Sequence, residues 1–208
     1  MNSSRARLVA VPAILLAGLA MGAVGALAAK LDGPIFHVVS IVFSGGWSWA
    51  CFAFLVGYFR QSKVAAALLA SSALAVGVVV YYLSKALSPV APIGMDVAGE
   101  SSVGDAAPGI LFWGIAAFLF GAPVGLFGNL ARIPGIAGLS FRLLIPLIAF
   151  YETSVRLGVE EATAGPVPAA TWSVIRVLAA LAAVALVGHT LWRWRTRRDS
   201  LKVGAESH

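Results

Sequence analysis

An all-helical membrane bundle of six spans is the fold class this sequence predicts, and three observations predict it. Of 208 residues, 60% are hydrophobic and only 12% are charged, against about 45–50% and about 25% in an average soluble domain. Six separate stretches are apolar over the roughly 20 residues that a helix needs to cross the hydrocarbon core. The cations fall on alternate connections in a strongly uneven way. No polar stretch is long enough for a separate soluble domain, so residues 1–208 read as one integral-membrane unit.

The spans are placed at 8–29, 34–59, 64–87, 109–131, 138–157 and 170–192. The first begins after Arg5 and Arg7 and has Ala26, Leu27 and Ala28 near its end, which also suits a cleaved signal peptide. Its apolar run of about 21 residues exceeds the 7–15 of a signal core, which favours a retained helix. The second carries Ser44, Gly45, Gly46, Trp47, Ser48 and Trp49 near its middle. Indole rings favour interfaces, so Trp47 and Trp49 are expected to face protein or a ligand, and the paired glycines permit a break.

The third span ends in Tyr81, Tyr82 and Lys85. The fourth has Gly121, Gly125 and Gly128 on one face, matching Gly18, Gly22 and Gly25 in the first; such faces let backbones approach, within the chain or in a homo-oligomer. Pro123 is expected to kink the fourth span. In the fifth, Pro146 leaves the carbonyl of Arg142 without its helical donor. The sixth runs from Trp172 and Arg176 to Trp192 and Trp194, and residues 193–208 follow as a basic tail. The segments Ser88–Pro108 and Gly158–Ala169 read as loops.

Charge sets the orientation. With the N-terminus in the cytoplasm, that side receives Arg5, Arg7, Arg60, Lys63, Arg132, Arg142, Arg193, Arg195, Arg197, Arg198 and Lys202. The outer side receives Lys30, Lys85, Arg156 and Arg176, a ratio of 11 to 4. Seven of the nine acids, including Asp32, Asp96, Glu100, Asp105, Glu160 and Glu161, are outer. Both termini are therefore placed in the cytoplasm of a bacterial plasma membrane, with the basic tail against anionic lipid. The net charge of +6 is accounted for by that tail, and no nucleic-acid partner is expected. Cys51 is the single cysteine, so no intramolecular disulfide and no thiolate metal site can form. No metal or cofactor is expected.

Glu152 is the residue that most needs a reason. An ionisable group within an apolar run is a functional-site hypothesis by default. It lies ten residues after Arg142, about 15 Å along the helix, in the outer half of the membrane. Arg156 follows at i+4 on the same face. Either Glu152 is an ion pair with Arg156 or Arg176, or it faces a dry cavity where desolvation favours the neutral acid and proton donation. At a similar height the topology places His37, Tyr81, Tyr82, Lys85, Trp113, Trp172 and Arg176, an expected outer-half pocket with an aromatic wall. No Walker, HExxH, GxSxG or aspartate-rich diphosphate-binding sequence occurs.

Trp49 followed by Phe54, Leu55, Val56 and Gly57, the Tyr81–Tyr82 pair, the block from Gly121 to Gly128 with Arg132 after it, and the Glu152 helix together resemble a family of small bacterial six-helix membrane proteins. In size and character the chain is also similar to bacterial membrane-bound terpene cyclases of meroterpenoid and indole-terpenoid pathways. That resemblance implies that Glu152 protonates an olefin or epoxide of a prenylated substrate and starts a carbocation cascade. It further implies that Trp47, Trp49, Tyr81, Tyr82 and Trp113 shelter the cation by cation–π contact. Arg156 departs from this pattern, because a neighbouring guanidinium favours the carboxylate over the acid.

Two other function classes stand beside the cyclase. A solute carrier or transporter subunit would use Glu152, Arg156 and Arg176 to bind an anionic or zwitterionic molecule without converting it. An accessory structural subunit would need Glu152 only for stability.

Overall fold

The computed structural model describes residues 3–87, 103–160 and 165–206. Eight α-helices and no strand are found among them: α1 Ser3–Ala28, α2 Pro34–Ser44, α3 Gly46–Tyr58, α4 Lys63–Leu87, α5 Val103–Leu130, α6 Ile136–Arg142, α7 Leu144–Glu160 and α8 Pro166–Glu206. Five segments are long and apolar enough to cross a membrane, and the bent pair α2–α3 makes a sixth if counted as one span. This is compatible with a multi-pass membrane protein. The parts of the expected loops at 88–102 and 161–164, with Asp96, Glu100 and Glu161, lie outside the described residues.

Three boundaries differ from expectation. Helix α5 starts at Val103 rather than 109, taking in Pro108, and it continues through Pro123 without interruption. Helix α8 has 41 residues, about 62 Å at 1.5 Å per residue, roughly twice the hydrocarbon thickness. The basic stretch after Trp192 is therefore a continuation of that helix through Glu206. The fifth expected span is two helices with Leu143 between them, placed where Pro146 removes the donor for the Arg142 carbonyl. Both halves still form one apolar segment, Ile136–Val159.

The chain divides into two compact units, residues 1–129 and 130–208. In the first, α1 packs along α4, and α4 also packs on α3. The glycines make these contacts possible. A Cβ on Gly18 or Gly22 would collide with the backbone carbonyl of Ala73 or Gly77. One on Gly121 would lie 2.9 Å from Ser71 Cα, and one on Gly125 2.7 Å from the Ala66 carbonyl oxygen. Small residues let helices reach van der Waals contact where no hydrophobic drive operates. The glycine faces are thus spent within the chain. Between them lies a core of Ala53, Val56, Ala70 and Leu74, while Leu119 and Phe120 on α5 stay exposed.

Polar side chains close the backbone where helices end or meet. Ser71 is fully buried and its hydroxyl donates to the Phe118 carbonyl at 2.9 Å, tying α4 to α5. Lys30 donates to the carbonyl of Ser84, one of the last four of α4, which have no intrahelical donor and carry the negative end of the helix dipole. The Asn129 amide donates to the Arg60 carbonyl just past α3. In the second unit, α7 packs along α8 and α6 touches α8. Arg142 donates from Nε to the Ala131 carbonyl at 2.8 Å and from its guanidinium to that of Ile133 at 2.7 Å. It clamps the turn that leads into α6, where Gly135 takes φ +79°, a value open to glycine without a Cβ penalty.

Candidate functional site

The expected site residues fall in both units: Trp47, Trp49, Tyr81, Tyr82 and Trp113 in the first, Glu152, Arg156 and Arg176 in the second.

In the second unit the packed face of α7 carries Ala149, Thr153 and Leu157 at steps of four, all buried. Glu152 and Arg156 flank this row and are half-buried. Arg156 Nε donates to Glu152 Oε1 at 3.1 Å, an i,i+4 ion pair with the carboxylate on the N-terminal side, the favourable order on a helix. The same guanidinium lies 4.9 Å from the centroid of the Trp172 ring. The ion pair with Arg156 that the i,i+4 spacing admits is present. Arg156 does not point elsewhere.

Trp172 is 2% exposed, and its indole N–H has no acceptor. Sequence reasoning placed this ring at the start of the sixth span but missed it as the platform for Arg156. No local signal marks that contact, since ring and cation come from different helices. Helices α7 and α8 are joined by a short link and run side by side, which makes them antiparallel. From the Arg156–Trp172 contact, Glu152 lies one turn back along α7 and Arg176 one turn on along α8. Arg176 is half-buried. Among the described residues it makes no hydrogen bond or ion pair.

In the first unit the notable feature is the break between α2 and α3, bent by 65° at Gly45. Breaking a helix orphans its last carbonyls, and local donors take them. Ser44 Oγ donates to the Ile41 carbonyl at 3.0 Å, and Gly45 N–H to that of Val42 at 3.4 Å. Trp49 Nε1 donates to the Phe43 carbonyl at 2.8 Å. Ser48 Oγ donates to the Gly45 carbonyl at 2.7 Å. Trp47 folds over the bend, where a Cβ on Gly45 would lie 2.8 Å from its Nε1. Both tryptophans therefore face protein, as their placement predicts.

From Trp49 an aromatic row continues. Its ring meets Tyr81 edge-on at 6.4 Å, and Tyr81 meets Tyr82 at 5.5 Å. Gly77 lets Trp49 approach, since a Cβ there would lie 2.8 Å from the indole. Lys85 Nζ stands 5.1 Å from the Tyr81 centroid. Trp113 instead pairs with Phe112 at 5.2 Å and is 52% exposed. His37 is exposed in the first turn of α2.

No protein-family model, curated protein or solved structure matches this chain. Its function must therefore be argued from these groups. Among the described residues no cluster of His, Cys, Asp and Glu suits a metal ion. Two aromatic rings, Tyr81 and Trp172, already have cations of the chain beside them, Lys85 and Arg156. Among the described residues, Glu152 is the carboxylate inside an apolar segment, and it is paired with Arg156.

Proposed function

We propose that this is a six-span protein of the bacterial plasma membrane, with both termini cytoplasmic, that binds a small anionic or zwitterionic solute and carries it unchanged. Counting α2 and α3 as one broken span gives the six crossings, and the 11-to-4 cation asymmetry supports the orientation.

The observation that carries this reading is the broken span itself. Irregular backbone inside a bilayer is tolerated where it is buried in protein or lines a cavity, and discontinuous helices are a recurring way for carriers to build a binding site. Here the break at Gly45 is closed by Trp49, Ser44 and Ser48 rather than left to lipid.

A terpenoid cyclase is the second reading, favoured by the row Trp49, Tyr81 and Tyr82, since aromatic π faces suit a carbocation. It ranks second because the Glu152 carboxylate is already engaged by the Arg156 guanidinium.

One experiment separates them. Proteoliposomes are offered a mixture of amphipathic carboxylates, amino acids and prenylated aromatic compounds, and lumen and bath are analysed by mass spectrometry. Entry of a compound with its structure intact supports the carrier. A new isomer that appears only with the protein supports the cyclase.

A further inference from the structure

We propose that Arg176 and the Trp172 indole N–H form the anion-binding half of a ligand site in the second unit, one that takes a singly charged oxyanion on an apolar body. This deepens the carrier reading by naming its ligand chemistry and by separating the residue that binds from the residue that balances charge.

The argument starts from unpaired donors. An indole N–H only donates, and buried polar groups without partners are rare enough in proteins that each calls for a reason. Trp172 is such a group, with its N–H buried and without an acceptor. One turn further along the same face, Arg176 brings a half-buried guanidinium that makes no hydrogen bond or ion pair among the described residues. A guanidinium only donates as well. Two donors one turn apart on one helix face, neither with a partner among the described residues, are complemented by an acceptor, and the positive charge makes that acceptor an anion.

The charge count sets its valence. Glu152 and Arg156 neutralise each other, and Arg156 is held over the Trp172 face. Arg176 remains as one uncompensated positive charge among the described side chains of this cluster. A single negative charge balances it, where a dianion would leave an excess in an apolar segment, at a cost. Planar guanidinium geometry suits a carboxylate or a phosphodiester. Trp172 and Arg176 lie within the apolar segment Pro166–Thr196, so the oxyanion is carried on an apolar body. Glu152, held by Arg156, acts as a competing carboxylate rather than as a ligand.

Two sources supply such a head: a free amphipathic carboxylate, or an anionic phospholipid of the bilayer. The full-length protein in phosphatidylcholine nanodiscs is titrated with decanoate. In parallel it is placed in nanodiscs that contain phosphatidylglycerol, and decyltrimethylammonium serves as the cationic control. Binding is read by native mass spectrometry and by the thermal unfolding midpoint.

Decanoate or phosphatidylglycerol, but not the cation, should bind and raise the midpoint. Arg176→Gln should weaken that binding roughly tenfold or more, and Arg176→Lys should keep part of it. Trp172→Phe, which keeps the ring and removes the N–H, should weaken it several-fold. Glu152→Gln should tighten it, an effect that a purely structural role for the acid does not produce. Unchanged anion binding in both Arg176→Gln and Trp172→Phe, or equal binding of the cation, overturns the proposal. Because binding is measured without flux, a protein that binds the anion but does not transport it contradicts the carrier reading alone.

Discussion

The indole of Trp49 donates to the carbonyl of Phe43 at 2.8 Å across the break at Gly45, so one side chain of α3 supplies the hydrogen bond that the end of α2 lost. This couples the break to the aromatic row, because the same ring packs edge-on against Tyr81.

Trp49→Phe keeps most of that packing and removes the donor. It should lower stability by about 1–2 kcal/mol, the cost of leaving a buried carbonyl unpaired. Trp49→Ala should cost more, about 3–5 kcal/mol. Unfolding in mixed micelles, followed by helical circular dichroism, measures both. No loss in Trp49→Phe would mean that the hydrogen bond to Phe43 contributes nothing.

The glycines divide into two groups with opposite expected behaviour. Gly22→Ala forces a methyl into the Gly77 carbonyl, and nothing lies within 4 Å of a Cβ at Gly188. The first substitution should destabilise by about 1–3 kcal/mol. The second should be neutral or stabilise by up to about 1 kcal/mol, because alanine is the better helix former. Thermal unfolding of the two variants side by side tests the contrast.

Arg142 holds two carbonyls of the turn before α6. Arg142→Ala should cost about 1.5–3 kcal/mol, as expected for hydrogen bonds from a charged donor. Faster amide hydrogen exchange should then appear around Ile133 and Gly135, with exchange in α1 to α4 unchanged. Uniform acceleration throughout would contradict a local clamp.

Much of this was legible in the sequence for a simple physical reason. Length and apolarity alone specify long apolar helices: five expected spans match segments long and apolar enough to cross a membrane, and the second matches the bent pair α2–α3. Proline and glycine chemistry was legible as well. Pro146 predicted the interruption near Arg142, and the Gly45–Gly46 pair predicted the break. The i,i+4 spacing of Glu152 and Arg156 admitted the ion pair but could not choose it over a cavity, because that depends on rotamers. The partners that join distant positions were not legible: Lys30 with Ser84, Asn129 with Arg60, and Arg156 with Trp172. Nothing local marks them, since the acceptors are backbone carbonyls or an aromatic face supplied by another helix. The end of α8 was misread for a related reason: positive charge marks where a span leaves the bilayer, and does not end a helix.

A double-mutant cycle on Glu152 and Arg156 should return a coupling of about 0.5–2 kcal/mol. The range runs from exposed helix pairs to better-shielded contacts. Arg156→Ala alone should cost more than Glu152→Gln alone, because it also removes the cation from the Trp172 face. Zero coupling would leave Glu152 free to act as an acid.

The most direct test of the central claim, that Glu152 balances charge and does not donate a proton, is product analysis by mass spectrometry. The wild-type protein and Glu152→Gln are expressed in a host that supplies prenylated aromatic substrates, and folding of each is confirmed. The account predicts that every substrate is recovered with its structure unchanged from both proteins. A new cyclised isomer from the wild type, absent from Glu152→Gln, would contradict it and make Glu152 a catalytic acid.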